Sequence, residues 1–285
     1  MSVTSRDVAR SVDPGGPAPV GIVTALYLEA RAIAGLSWLA LGRGAPATVR
    51  IGIGGMGEAS ATRVARGLCE AGAQALISVG FAAALCPSLA TGTVCLPARC
   101  VGPSGEVPVC DELRQALLDP LGANSTVSSA ALAQVPSVLT DAGHKRDWQR
   151  RSGCDLADME SASIGAVAAA AGLPFAILRV VSDAVQTRYP DCLSEAVDGQ
   201  GRTRPWVVAR ALAARPWQLG AVLVATHGYL RASGALRDGA RRLQAAADRA
   251  GSACDPARRS GVGGSYPPDR VESARGDCSR DDTSV

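Results

Sequence analysis

Three acidic residues, far apart in the chain, could deliver carboxylates to one site: Glu29, Glu160 and Asp183. Asp183 follows the mostly apolar run 176–181, which predicts a buried strand, and Glu29 begins a helix after the apolar run 20–25. Burial beyond a strand raises the pKa of a carboxyl, so Asp183 is expected to hold a proton and act as a general acid. An acid that protonates a departing base, with further carboxylates beside a sugar, suits cleavage of a sugar–purine bond.

Each of these acids also has a purely structural interpretation. Asp183 could cap the turn that follows it. Glu29 and Glu160 stand in the first turn of predicted helices, where a negative charge interacts favourably with the helix dipole. Only the convergence of all three on one cleft would make them an active site.

A glycine-rich turn at 54–57 could bring the backbone close to an anion. It precedes a predicted helix, so the amides of Gly55, Met56 and Gly57 are candidate phosphate ligands, with Arg31 as the accompanying cation. The turn does not match the dinucleotide-binding pattern G-x-G-x-x-G.

Predicted strands alternate with predicted helices along most of the chain. This pattern predicts an α/β fold, a three-layer αβα arrangement with a central mixed sheet, followed by a C-terminal helical arm. We expect a disordered tail at 1–19, a main domain at 20–204, an arm at 205–250 and a second disordered tail at 251–285. Strands are predicted at 20–25, 48–53, 75–79, 92–101 and 175–181, with one or two more within 124–139, and helices at 28–39, 58–70, 111–118, 141–151 and 161–171.

Composition narrows the classes of function. The formal net charge of +3 is too small to indicate nucleic-acid binding. The nine cysteines form no C-x-x-C pair and the two histidines complete no zinc spacing, so we expect no metal site. Residues 1–19 lack the apolar core of a secretory signal, and these features together predict a cytoplasmic protein. Lys145 is the sole lysine, which we attribute to genomic base composition.

Several motifs resemble the nucleoside phosphorylase and nucleosidase superfamily, over roughly residues 20–190. The strand form G-I-x-x-A-x-x-x-E is present as Gly21 to Glu29, and the P-F-x-x-x-R-x-x-S-D segment as Pro174 to Asp183. The family's G-x-A-G-G turn corresponds to 80–84, its V-G-D-V-V strand to 91–95 and its E-M-E segment to 158–160. The resemblance implies a purine nucleoside phosphorylase-like fold.

The resemblance also implies roles for individual residues. Asp183 would protonate the purine N7 as the base leaves. Glu160 would bind the ribose 2′ and 3′ hydroxyls above Met159, and Glu29 would lie near the nucleophile. The remaining substrate-binding residues implied are Gly80, Phe81, Ala82 and Ser182.

The C-terminal half is similar to the hopanoid-associated phosphorylase branch. The stretches that carry this likeness are 197–202, 214–219 and 231–236. The branch implies phosphorolysis of a lipid nucleoside, adenosylhopane, with release of adenine. Inorganic phosphate would be the co-substrate, and no cofactor is expected.

Two alternatives stay open. One is a methylthioadenosine or S-adenosylhomocysteine nucleosidase that uses water. The other is a catalytically weakened purine-binding homologue, because Ala83 and Ala84 stand where the family has glycines and their methyl groups would narrow the site. The family further implies a homo-oligomer.

The arm at 205–250 combines arginines with Trp206, Trp217, Leu219 and Leu223. Basic helices that carry aromatic residues can lie on anionic membranes. We therefore expect that the arm either packs on the domain or contacts the inner face of the membrane peripherally.

Overall fold

A computed structural model of the chain describes residues 19–40, 47–122, 127–128, 130–190, 192–193, 196–198, 202 and 204–254. Its strands and helices confirm the predicted α/β class, with a mixed sheet between helical layers and a C-terminal helix. The predicted tails at 1–19 and 251–285 lie almost entirely outside the described residues.

The strands are β1 Val20–Thr24, β2 Trp38–Leu39, β3 Ala47–Ile53, β4 Ala75–Ala84, β5 Val94–Cys95, β6 Cys100–Gly102, β7 Gly105–Val107, β8 Val127–Ser128, β9 Leu132–Gln134, β10 Leu156–Asp158 and β11 Phe175–Asp183. The α-helices are α1 Tyr27–Ala32, α2 Glu58–Glu70, α3 Asp111–Gly122, α4 Ala142–Ser152, α5 Ser161–Ala170, α6 Pro205–Ala214 and α7 Leu219–Cys254, and a 3-10 turn at Pro216–Gln218 joins the last two.

The long strand β4 organises the sheet. It pairs in parallel with β1 and β11, and its last residues pair antiparallel with β10. The sheet runs β2-β3-β1-β4-β10-β9-β6-β7, while β11 leads from β4 to β5 and β8. Because β1, β4 and β11 are parallel, their carboxyl ends lie at one edge, where α/β proteins bind ligands.

Alternation along β4 supplies both cores. Ile77, Val79 and Phe81 belong to the core under α1, α3 and α7, whereas Leu76 and Ala82 belong to the core under α2 and α5. Successive strand side chains point to opposite faces, so one apolar strand can serve two helical layers.

Two predicted elements are wrong in extent. The predicted helix 28–39 ends at Ala32, and the chain turns through Gly35 so that Trp38–Leu39 pairs with β3. The predicted strand 92–101 is two short strands, β5 and β6, separated by a segment that contains Pro97. Proline lacks the N–H that a continuous ladder requires.

The long helix α7 packs on the sheet. Its buried residues Ala232, Leu236 and Ala240 lie in the core with α1 and α3. Near its N-terminal third, Gly228 lies so close to the Ser182 carbonyl oxygen that a methyl group there would overlap it. The helix therefore approaches the end of β11 directly.

Candidate functional site

A cleft lies at the carboxyl ends of β1, β4, β10 and β11. Its volume open to the centres of water molecules is about 100 Å³, room for several waters. Glu29, Glu160 and Asp183 all line it, with Met56, Phe81, Ala82, Met159 and Ser182. The structure thus brings together the three acids that are more than 20 residues apart in sequence.

Glu29 is held by backbone amides at the start of α1. Its Oε2 accepts hydrogen bonds from the N–H groups of Ala25 (2.9 Å) and Leu26 (2.8 Å), and its Oε1 accepts from Phe81 (2.8 Å). Burial raises the pKa of this carboxyl above its ordinary value, although Arg179 and the three amides act in the opposite direction. The arrangement fixes a buried carboxylate at the floor of the cleft.

Gly80 permits this arrangement. A Cβ atom at this position would lie 2.5 Å from Glu29 Oε1 and 2.5 Å from Arg179 Nη1. Both neighbours are buried and held by other contacts, so only glycine lets β4 pass between them.

Glu160 reaches across to the glycine-rich turn. Its Oε1 accepts a 2.7 Å hydrogen bond from the Gly57 N–H. Burial and then the adjacent Asp158 carboxylate raise the pKa of Glu160 to about 7, against the influence of Arg179 and the Gly57 amide. Glu160 therefore changes charge near neutral pH.

A buried ion pair supports the cleft from behind. Arg179 Nη2 lies 2.5 Å from Asp158 Oδ2, and the same guanidinium donates to the hydroxyls of Ser78 and Ser161. Sequence reasoning named Arg179 and Asp158 only as motif letters. Their partners come from separate elements, β4 and α5, so local patterns did not indicate the network.

Asp183 ends β11 at a break in strand register. The pairing with β4 shifts between Val181 and Asp183, which is a β-bulge and re-aims the side chains there. Ser182 Oγ lies 2.7 Å from Asp183 Oδ1, and Lys145 Nζ lies 2.5 Å from Oδ2. The contact with the Lys145 ammonium is one that the sequence prediction for Asp183 left out.

Sequence reasoning missed Lys145, which contacts Asp183, and the cleft residues Tyr189 and Tyr229. The Tyr229 ring packs edge-on against Phe81, with centroids 5.3 Å apart, and its hydroxyl lies 3.2 Å from that of Tyr189. Burial raises the pKa of Tyr229 well above its ordinary value, so the phenol stays neutral. The helical spacing of apolar residues through Val222, Ala225, Tyr229 and Ala232 was a signal that this side of α7 is buried.

The glycine-rich turn uses its amides internally. Gly54 N–H donates to Thr24 O, Gly55 N–H to Ala25 O, and Gly57 N–H to Glu160. Met56 lines the cleft. Arg31 lines a separate groove with Arg237 and Arg241 and is not among the residues that line the cleft.

The two alanines that replace family glycines occupy different surroundings. Ala83 lines the cleft, and its backbone pairs with Ala157 of β10 and with Asp183 of β11. Ala84 is fully buried in the core under α2 and α5. Only one of the two extra methyl groups therefore borders the cleft.

The cleft can bind a small polar molecule that has an apolar face. Its carboxyl groups can act as a proton donor when protonated and as a proton acceptor when ionised. Among its lining residues, all within the described ranges, there is no Lys or Arg side chain. In the same part of the chain, no three His, Cys, Asp or Glu side chains are grouped to hold a metal ion.

Comparison with solved structures finds the same fold in several nucleosidases. One is 5′-methylthioadenosine/S-adenosylhomocysteine nucleosidase from Helicobacter pylori, at 15% identity, a TM-score of 0.59, and coverage of 82% of this chain and 99% of that one. Futalosine hydrolase from the same organism matches at 17% identity, a TM-score of 0.52, and coverage of 59% and 87%. The Campylobacter jejuni nucleosidase matches at 18% identity, a TM-score of 0.53, and coverage of 74% and 98%.

A sequence search of curated proteins found no match. A family model, described as the phosphorylase superfamily, matches residues 37–204, more than half of the chain. That segment includes Glu160 and Asp183, whereas Glu29 and Tyr229 lie on either side of it. The chain belongs to the phosphorylase superfamily.

Proposed function

We propose that the protein hydrolyses the N-glycosidic bond of a purine nucleoside and releases adenine. The observation that carries this proposal is that Asp183, Glu160 and Glu29 line one cleft. The aromatic side chains of Phe81, Tyr189 and Tyr229 line the same cleft. The names of the structural neighbours, which act on 5′-methylthioadenosine and futalosine, agree with a nucleoside substrate.

The residues divide the chemistry as follows. The C1′–N9 bond breaks, its electron pair goes to the base, and a proton passes from Asp183 to N7. Glu160 accepts hydrogen bonds from the ribose hydroxyls, and the carboxylates stabilise the positive charge that develops on the sugar. Glu29 takes a proton from the water that attacks C1′.

The surroundings of the cleft favour water over phosphate as the acceptor. A phosphate dianion needs cations or N–H donors to offset its charge. Among the described residues, no Lys or Arg lines the cleft. In the turn at 54–57, three backbone N–H groups already donate hydrogen bonds, to Thr24, Ala25 and Glu160. Water needs no such compensation, so the phosphorolysis implied by the sequence resemblance has less support.

The product identifies the acceptor. Wild-type protein is incubated with adenosine and with methylthioadenosine, with and without phosphate, in ¹⁸O-labelled water. We expect adenine release at equal rates in both buffers and ¹⁸O on the sugar's anomeric carbon. Release only with phosphate, with formation of a sugar 1-phosphate, would establish phosphorolysis instead, and no release would contradict both.

Sugar binding should depend on pH through Glu160. Its pKa of about 7 means that the carboxylate, the better acceptor for two hydroxyls, forms as pH rises through neutrality. We expect KM to fall several-fold between about pH 6 and pH 8, and Glu160→Gln to remove that dependence. A KM in the wild type that does not change over this range would contradict the assignment.

A surface that we call the basic apolar face covers α6 and the outer side of α7. Helix α6 has no buried residue, and Leu219, Leu223 and Leu230 form one exposed stripe on α7. Trp206 and Trp217 are 61% and 75% exposed. Residues 199–237 contain six arginines and no acidic residue.

We propose that an anionic bilayer surface covers this face. Tryptophan and arginine side chains suit the interface between headgroups and acyl chains. A second copy of the chain would bring two basic faces together, which disfavours self-association through it. None of the described helices alone is long and apolar enough to cross a membrane, and only the bent pair 205–214 and 216–249 meets that test jointly.

The face also supports a lipid-linked nucleoside as the substrate. Helix α7 carries Tyr229 on the cleft side and Leu230 on the outer side. A substrate whose 5′ substituent stayed in the bilayer would therefore meet the cleft and the membrane along one helix. This is the observation that favours the hopanoid-type substrate implied by the sequence.

Cosedimentation with vesicles tests the basic apolar face. Because α7 contributes Tyr229 to the cleft, point substitutions are preferable to truncation. We expect binding to vesicles that contain phosphatidylglycerol, little binding to phosphatidylcholine alone, and roughly tenfold weaker binding of Trp206→Ser/Trp217→Ser. The control Trp38→Ser, in β2, should bind as the wild type does. Equal binding by all variants, or a dimer that the double substitution dissociates, would overturn the proposal.

A further inference from the structure

The chain's only lysine is buried beside the proposed general acid. Lys145 has no exposed surface, and its Nζ lies 2.5 Å from Asp183 Oδ2, 2.9 Å from Ala184 O and 3.1 Å from Thr187 O. An ammonium has three N–H donors and these three acceptors use all of them. The three contacts therefore hold the Lys145 side chain at the end of β11.

Lysine at this position has a geometric reason. Helix α4 begins after the N-cap Asp141 and is otherwise polar, and Lys145 is its buried residue. The acceptors surround a single nitrogen, which suits a compact ammonium better than the planar fork of arginine. Lys145 is the one lysine among the 29 Lys and Arg residues of the chain. Every other basic position in this count is arginine.

The other groups near Asp183 are neutral or acidic. Ser182 Oγ contacts Oδ1, and the phenols of Tyr189 and Tyr229 approach from the following loop and from α7. Glu29 lines the same cleft from α1. Lys145 is thus the cation in direct contact with this carboxyl.

We propose that Lys145 is a positioning residue for Asp183, which rests on the function proposed above. With Ser182, it fixes the plane of the carboxyl toward the purine. When the C1′–N9 bond breaks and the Asp183 proton passes to N7, the carboxyl becomes an anion that the ammonium stabilises. The proton that Glu29 takes from the attacking water returns through solvent to reset Asp183.

Rate profiles against pH separate this role from simple packing. Lys145→Met removes the charge next to the Asp183 carboxyl, so we expect kcat to fall roughly 10²-fold and the alkaline limb of its pH profile to move to higher pH. Lys145→Arg keeps the charge but not the geometry. The alkaline limb of its pH profile should therefore stay at the wild-type position while kcat falls. Arg146→Met, the same charge change on an exposed neighbour, should change neither. A fall in kcat with no shift of the limb would reduce Lys145 to a structural role and overturn the proposal.

The single lysine also permits a test that does not depend on turnover. In the NMR spectrum of protein with ¹⁵N-labelled lysine, we expect one slowly exchanging ammonium signal, and its chemical shift should change when adenine binds. In the Asp183→Asn variant, adenine should no longer change that chemical shift. A signal that exchanges as a solvent-exposed lysine would overturn the proposal. Wild-type protein that shows the paired signal but releases no adenine would instead contradict the proposed function.

Discussion

Replacing Asp183 with asparagine is expected to lower kcat by a factor of about 10²–10⁴ while KM changes little. Asparagine has nearly the same shape, and its oxygen can accept from Lys145 while its NH₂ group donates to Ser182 Oγ. It has no acidic proton to give to N7. The loss therefore falls on the step in which the base leaves, and adenine release measured under saturating substrate reports it.

Two comparisons make this measurement decisive. Asp119→Asn changes an exposed acid on α3 and should leave kcat at the wild-type value. Activity should fall less in the Asp183 variant toward a nucleoside whose purine depends less on protonation at N7 than toward an adenine nucleoside. Wild-type kcat in Asp183→Asn would remove this residue from the mechanism.

Glu29→Gln is expected to lower both kcat and stability. The glutamine has no basic oxygen to take a proton from water, which should cost about 10²–10⁴ in kcat. In the wild type, both carboxylate oxygens of Glu29 accept hydrogen bonds from backbone N–H groups. One accepts from Phe81 and the other from Ala25 and Leu26. The new NH₂ group must face one set of these N–H donors and cannot accept from them. We therefore expect the free energy of unfolding to fall by roughly 1–3 kcal/mol.

Activity and denaturant unfolding are measured on the same sample of this variant. Glu58→Gln, an exposed acid in the first turn of α2, is the matched control and should alter neither quantity appreciably. A Glu29→Gln variant with lower stability but full activity at saturating substrate would assign this residue to structure alone.

Local patterns carried much of the fold. The short apolar runs before Glu29 and up to Asp183 form β1 and β11, and the helix predicted at 58–70 is α2, with the same bounds. Errors arose where pairing with a distant strand overrode a local pattern. Trp38 continues a helical periodicity in the sequence, but it pairs with Thr48 in the next strand.

Motifs in the chain were sufficient to select Glu29, Glu160 and Asp183 as a set, because each has a recognisable local context of strand end or helix start. The partners of these acids depend on the folded arrangement. Lys145 meets Asp183 across 38 residues, Gly57 meets Glu160 across 103, and Tyr229 enters the cleft from a helix that reads as a separate arm. Backbone propensity and hydrophobic periodicity act within a few turns or strands, whereas these contacts exist only after the sheet and its helical layers have packed.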